Sequence, residues 1–194
     1  MPLKINIEWV DNPLKNAVVD NNPTALATAL EKSPSAFQVR AALEEAIERN
    51  LLACVETLIP FTDSAYLGGW ALISASGYGF APIVKRLAAF ADQEHLRLAL
   101  GQAIVAGHSE CVEELIAVTD CAYDDSYALQ LAAGRVKYDG WRIFEMLFEV
   151  SVPQDALNAL RGRGSQHAQE ALEHHMSLKS QEITGNHPTK TRKL

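Results

Sequence analysis

Residues 98–134, LALGQAIVAGHSECVEELIAVTDCAYDDSYALQLAAG, repeat residues 41–77, AALEEAIERNLLACVETLIPFTDSAYLGGWALISASG. At a constant offset of 57 and without gaps, 17 of the 37 paired positions are identical. Ala46 pairs with Ala103, Cys54 with Cys111, Leu58 with Leu115, Asp63 with Asp120, Tyr66 with Tyr123 and Gly77 with Gly134. Self-similarity at a fixed period marks a stacked architecture, in which each copy buries its apolar side only against its neighbours.

The 57-residue block halves again. Its clearest half is AIVAGHSECVEELI, Ala103 to Ile116: a small residue, a glycine four places on, then a second apolar-periodic segment closed by Leu115. The same frame picks out Ala75, Gly79, Val84 and Leu87, then Ala46, Asn50, Val55 and Leu58, and upstream Val18, Asn22, Ala27 and Leu30. The closing leucines Leu30, Leu58, Leu87 and Leu115 lie 28, 29 and 28 residues apart. Leu147 follows after 32 because of an insertion, and Leu172 closes a faint last copy, so five or six units are expected.

Each unit reads as two short antiparallel helices. The first carries apolar residues at helical spacing, as in Ala42, Leu43, Ala46 and Ile47, with many alanines that allow close approach. Asn50, Gly79 or Gly107 then supplies the left-handed residue that ends a helix. Ser109 is the expected N-cap of a second helix running to Val118, and Thr62-Asp63 and Thr119-Asp120 turn the chain into the next unit. The prediction is an all-α solenoid of helix–turn–helix repeats over residues 14–176, after a lead-in of residues 1–13. From Ser177 the periodicity fades, and Lys179, Lys190, Arg192 and Lys193 face Glu182 alone, which predicts a flexible basic tail over 177–194.

Composition bounds the function. A hydrophobic fraction of 48% in 194 residues supports a sizeable core. A net charge of −7 argues against a body that binds nucleic acid, since phosphate recognition relies on clustered Lys and Arg. Cys54, Cys111 and Cys121 are odd in number and lack CxxC spacing, so reduced thiols and a cytoplasmic setting are expected. The opening MPLKINIEWVDNPLKN has no signal-like apolar run, and no stretch approaches the ~20 apolar residues of a membrane span. Delivery into another cell as an effector stays open.

The pattern resembles a degenerate ankyrin-repeat array. The AxxxGHxExVxxL element of that family stands here as Ala103, Gly107, His108, Glu110, Val112 and Leu115, and the resemblance covers roughly residues 14–172. No copy carries the TPLH-type opening, and the period of 28–29 is short of the family's usual value of about 33. The resemblance therefore implies β-hairpin fingers that are shortened or absent. Other helical-pair solenoids with short loops fit the same spacing.

What recurs between copies is read as architecture, and what differs at an equivalent position is free to serve a partner. Tyr66/Tyr123 and Trp70/Tyr127 recur, as packing residues do, yet they flank the exchange of Leu67-Gly68-Gly69 for Asp124-Asp125-Ser126. That triplet is placed in the turn before a first helix, where ankyrin-like proteins display binding residues. Tyr66, Trp70, Tyr123, Asp124, Asp125 and Tyr127 are therefore candidate partner contacts, although acidic side chains at a helix N-terminus also simply complement its dipole. The second candidate is RVKYDGW, with Arg135, Lys137, Tyr138 and Trp141, which holds about three residues more than the matching turn. Glu44, Glu45 and Glu48 are an acidic run that either faces the groove or is a solvated helix face.

Catalytic patterns are weak. His108 and Cys111 share one helix start, but the resemblance gives His108 a bracing role at the turn. His167, His174 and His175 lack a convincing further ligand, so no metal and no cofactor are expected. The reading is a non-enzymatic module that binds another protein, one with a basic patch, through groove and loops. An inhibitor, an immunity protein or an effector would suit a chain that is nearly all repeat. The alternatives are a homodimer formed by stacking a terminal repeat on its copy, and an enzyme that processes nucleic acid in its groove, against which the acidic body argues.

Overall fold

The computed structural model describes residues 12–121, 123–135, 140–163 and 166–185. Six helical pairs follow one another among these residues: α1 (Pro13–Val19) with α2 (Pro23–Leu30), α3 (Ala36–Glu48) with α4 (Leu52–Leu58), α5 (Ser64–Tyr66) and α6 (Leu72–Tyr78) with α7 (Ala81–Ala88), α8 (Gln93–Ala106) with α9 (Ser109–Ile116), α10 (Tyr123–Arg135) with α11 (Trp141–Val150), and α12 (Pro153–Arg163) with α13 (Gln166–Gly185). A π-helical turn, Leu67–Ala71, joins α5 to α6. No described residue is in a strand, so the units meet through short loops and the hairpin fingers are absent there. The chain divides into two compact units, Met1–Thr119 with the first four pairs and Asp120–Leu194 with the last two.

The repeat marks form the core, except that in the first pair the expected Ala27 is exposed and Leu26 takes the buried place. Leu30, Leu58, Leu87, Leu115, Leu147 and Leu172 are all buried, as are Ala46, Ala75 and Ala103 on the first helices. The small alanines let successive first helices approach closely, while leucine and valine from the second helices fill the space behind them.

The left-handed residue that ends the first helix in each of the first four pairs recurs at Asn21 (φ 48°), Asn50 (φ 57°), Gly79 (φ 83°) and Gly107 (φ 84°), at intervals of 29, 29 and 28 residues. In the first pair this role falls to Asn21, one place before the expected Asn22. Asn22 instead caps α2, its side chain accepting from the backbone N–H of Ala25 at 2.9 Å. Asparagine suits both jobs, because its short amide tolerates positive φ and also accepts from a helix start.

Local chemistry explains the other helix starts. Ser35 and Gln38 form a reciprocal capping box on α3. Asp63 caps α5 and Asp92 caps α8. Asn12 accepts from the N–H groups of Leu14 and Lys15, and donates its amide to the Gln38 carbonyl at 3.1 Å, tying α1 to α3. Ser109 is the first residue of α9 rather than its cap. The capping position belongs to His108, which has no side-chain bond to α9.

At the other end, α13 runs through Ser177, where fading periodicity predicts the start of a tail, and continues to Gly185. Lys179 holds α13 to α11 through Glu149 at 2.9 Å. Loss of apolar periodicity marks a solvated helix as readily as it marks a loop. Residues 1–11, most of the lead-in, and 186–194 lie outside the described residues.

Candidate functional site

The described candidates of the first unit come together on the face made by the first helices α3, α5–α6 and α8. Tyr66 ends α5 and Trp70 lies in the π turn, and their rings stack with centroids 5.6 Å apart. Regular helix would already place i and i+4 on one side; the π turn widens the spacing and carries Trp70 outward, where it is 43% exposed.

Glycine is what allows that turn. A Cβ on Gly68 would lie 2.3 Å from the carbonyl oxygen of Phe90, so backbone meets backbone there. Gly69 departs from helical geometry at φ −90°, ψ −105°, and the space where its Cβ would be sits 3.5 Å from the His95 ring of α8.

Three polar side chains hold the tyrosine. Its hydroxyl donates to Glu44 at 2.5 Å, and the Arg40 guanidinium stands 4.8 Å from its ring centroid. Arg40 in turn donates to Asp63 at 2.6 Å, and Asp63 accepts from the Tyr66 backbone N–H at 2.8 Å. Arg40 holds the Asp63 carboxyl below its ordinary range, while burial, then the Glu44 carboxylate, push the Tyr66 hydroxyl up. Tyr66 therefore remains a neutral donor at physiological pH, held in place by its own neighbours.

On the two helices packed against the π turn, Phe37 of α3 and Leu98 and Val105 of α8 are exposed apolar side chains. Of the acidic run, Glu44 is engaged with Tyr66, and Glu45 is clamped by Lys15 of α1 at 2.8 Å and by Arg49. Lys15 first, then Arg49, draw the Glu45 carboxyl below its ordinary range. Glu48 is exposed. The acidic run thus splits into one positioning residue, one structural ion-pair centre and one solvated residue. None of the three functions could be separated by sequence spacing alone.

In the second unit the exchanged triplet lies in the opening turn of α10, not in the turn before it, just as Leu67–Gly69 lie inside the helical segment. Helix α5 begins at Ser64 because the capping carboxylate of Asp63 comes earlier in the chain than the aromatic pair. The side chains of Tyr123, Asp124 and Asp125 are outside the described residues. Ser126, the counterpart of Gly69, also departs from regular helix (φ 57°), is fully buried, and accepts from the backbone N–H of Val152 at 2.9 Å. Tyr127, the counterpart of Trp70, is 53% exposed.

In RVKYDGW, Lys137 and Tyr138 are outside the described residues. The ends of the insertion are pinned: the Gly140 N–H donates to the Arg135 carbonyl at 3.3 Å, and a Cβ on Gly140 would strike that same carbonyl at 2.8 Å. Arg135 is half-buried. Trp141 packs its ring against Phe144 at 5.4 Å and His175 at 5.3 Å, so it serves the packing of the unit while keeping an exposed edge.

The residues that drew a catalytic reading are occupied elsewhere. His108 Nε2 donates to the Gly77 carbonyl at 3.0 Å, and Cys111 is fully buried with its thiol pushed up to about 11 by burial. Such a thiol is a core side chain rather than a thiolate nucleophile. His167 and His174 are exposed, whereas His175 is buried against aromatic rings. Among the described residues no group of three His, Cys, Asp or Glu side chains could hold a metal ion. No described helix is long and apolar enough to cross a membrane.

No family model matches the chain, and no curated protein matches it in sequence. Among solved structures it is similar to the ankyrin repeat domain of human ASB11, with a TM-score of 0.59 and 21% identity over 84% of this chain and 83% of that one. The chain folds as a degenerate ankyrin-like repeat protein.

Proposed function

We propose that the chain is a non-enzymatic protein-interaction module, and that its partner docks on the first-helix face centred on Tyr66 and Trp70. The observation that carries this reading is the exposed Trp70 ring stacked on a tyrosine that Glu44, Arg40 and Asp63 already hold. Exposed apolar side chains in a monomer are ordinary when scattered, but a fixed aromatic pair with an exposed tryptophan, on a turn whose packed helices also expose Phe37, Leu98 and Val105, has the makings of an interface centre. Because the groups are fixed beforehand, little side-chain ordering opposes association. A standard interface needs about 800 Å² from each partner, an area that several adjacent first helices can supply.

Charge favours a basic partner. Residues 1–119 hold 14 acidic and 8 basic side chains, against 10 and 9 over residues 120–194. The acidic excess therefore coincides with the unit that carries the aromatic stack, and it would steer a basic surface toward it. Asp124, Asp125, Tyr127 and the Arg135–Trp141 segment form a second contact region on this reading. Inhibition, immunity or an effector role would each be a consequence of which protein is captured.

The test is affinity capture with the intact chain, a Trp70→Ala variant and an Asp124→Lys/Asp125→Lys variant, with each variant's folding checked by circular dichroism. A protein retained by the intact chain and lost with Trp70→Ala supports the reading. Loss only with the charge-reversed pair moves the site to the second unit. Retention by every variant, or a chain that only pairs with itself by light scattering, overturns it.

A further inference from the structure

We infer that the Tyr66–Trp70 stack is an arginine receptor: the exposed Trp70 ring takes the guanidinium of an arginine in a basic segment of the partner protein. This rests on the interaction-module reading and names the partner's chemistry at that same site.

The template for the contact is already in the chain. Arg40 lies over the Tyr66 ring at 4.8 Å while its guanidinium donates to the Asp63 carboxylate at 2.6 Å, so a planar cation is held by a ring and a carboxylate together. Trp70 is the next ring of the same stack, 5.6 Å from Tyr66 with an interplanar angle of 22°, and is the ring left open to solvent. Tryptophan is the best of the aromatic side chains for this contact, and arginine is the commoner cation because its flat, weakly hydrated group stacks as well as attracts.

The two helices packed on the π turn, α3 and α8, both carry carboxylates. On one side Glu44 accepts from the Tyr66 hydroxyl. On the other, the residue beside Trp70, Gly69, faces the His95 ring, whose Nδ1 lies 2.8 Å from Asp92 Oδ1. The cations of α1 and α3 are engaged: Arg40 with Asp63, and Lys15 and Arg49 with Glu45. Glu94, in the first turn of α8, and Glu48, at the end of α3, are exposed and make no ion pair among the described residues. An exposed aromatic ring between two helices that carry carboxylates, in a unit with an acidic excess, favours an incoming cation over a purely aliphatic anchor. Lysine would satisfy the charge but not the stacking.

Two soluble probes of equal charge separate these terms, the acetylated and amidated peptides (Gly-Arg)4 and (Gly-Lys)4. Titration calorimetry at low salt with the full chain should show the arginine peptide binding about two- to fivefold more tightly, the range of an exposed cation–π contact. Trp70→Leu, which keeps apolar bulk, and Trp70→Ala should both abolish that preference, while Tyr127→Ala keeps it. Equal affinity for the two peptides, or a preference that survives Trp70→Leu, overturns the inference. If capture of the partner protein still depends on Trp70 while the peptides are not discriminated, the arginine assignment fails and the interaction reading stands. If capture is indifferent to Trp70, it is the interaction reading that fails.

Discussion

His108 reaches across one repeat to Gly77: its Nε2 donates to the Gly77 carbonyl at 3.0 Å, 31 residues earlier, and its ring fills the space beside Gly79. A Cβ on Gly79 would stand 2.7 Å from His108 Nδ1, and Gly79 itself sits at φ 83°. Gly79 is thus required twice, once by its own backbone and once by the histidine of the next unit.

That relationship predicts coupled energetics. His108→Ala should lower unfolding free energy by about 1–3 kcal/mol, because it leaves a half-buried carbonyl without its donor. Gly79→Ala should cost at least about 1 kcal/mol for the left-handed backbone, plus the collision with the ring. In the His108→Ala background the collision is gone, so Gly79→Ala should cost only the backbone part. Urea unfolding of the four chains gives the cycle, and strict additivity would show that ring and glycine do not communicate.

The comparison of sequence with structure turns on such pairs. The unit boundaries, the closing leucines and the left-handed caps were legible because stacking repeats them at fixed spacing. The Gly-His pair was legible because the resemblance supplied its role. Not legible was the π turn, since Leu67-Gly68-Gly69 reads as a loop until Phe90, 22 residues later, is seen to press its carbonyl against Gly68. Nor could sequence separate Glu44 from Glu45: the difference lies in which neighbours, Tyr66 or Lys15, three-dimensional packing delivers. The continuation of α13 past Ser177 was hidden for a third reason, because a solvated helix carries little apolar periodicity to detect.

The glycines of the two long copies should respond oppositely to alanine. Gly68→Ala places a methyl 2.3 Å from a backbone oxygen that cannot rotate away, so it should destabilise by about 2 kcal/mol or more and disturb the Tyr66–Trp70 stack. Gly134, inside α10, has nothing within 4 Å of its would-be Cβ among the described residues, so Gly134→Ala should stabilise by about 0.5–1 kcal/mol through helix propensity. Thermal melts settle both. A neutral Gly68→Ala would mean the π turn relaxes into regular helix.

Stability should fall at both ends of the pH scale, for different groups. Glu45, Asp63 and Asp92 have folded-state values drawn down by Lys15, Arg40 and the His95 backbone N–H respectively. Their contribution is complete above the unfolded range of about 4 and is lost as pH falls through the depressed values. Cys111 and Cys121 go the other way, pushed by burial to about 11. Their contribution is complete below the unfolded value of about 8.5 and is lost as pH rises toward 11. Glu45→Gln should remove up to about 1 kcal/mol at neutral pH and flatten the acid limb. Thiol reagents should label the native chain slowly at pH 8, and rapid labelling would contradict the buried placement of all three cysteines.

His175 offers the opposite of a brace. It is 5% exposed and ringed by Trp141, Phe144 and Phe148, with centroids 5.3, 5.3 and 4.4 Å away. Neither ring nitrogen finds a hydrogen-bond partner among the described residues. A buried imidazole without partners forfeits its hydration for nothing in return, a loss of about 1–3 kcal/mol. His175→Phe keeps an aromatic ring against the same neighbours and removes both nitrogens, so it should raise stability by about 1 kcal/mol or more. The neighbouring exposed position serves as control, and His174→Phe should stay within about 0.5 kcal/mol of the parent. Chemical denaturation of the three chains at pH 7.5 decides it. If His175→Phe destabilises while His174→Phe is neutral, the imidazole nitrogens are bonded in solution and the second unit depends on that polar contact.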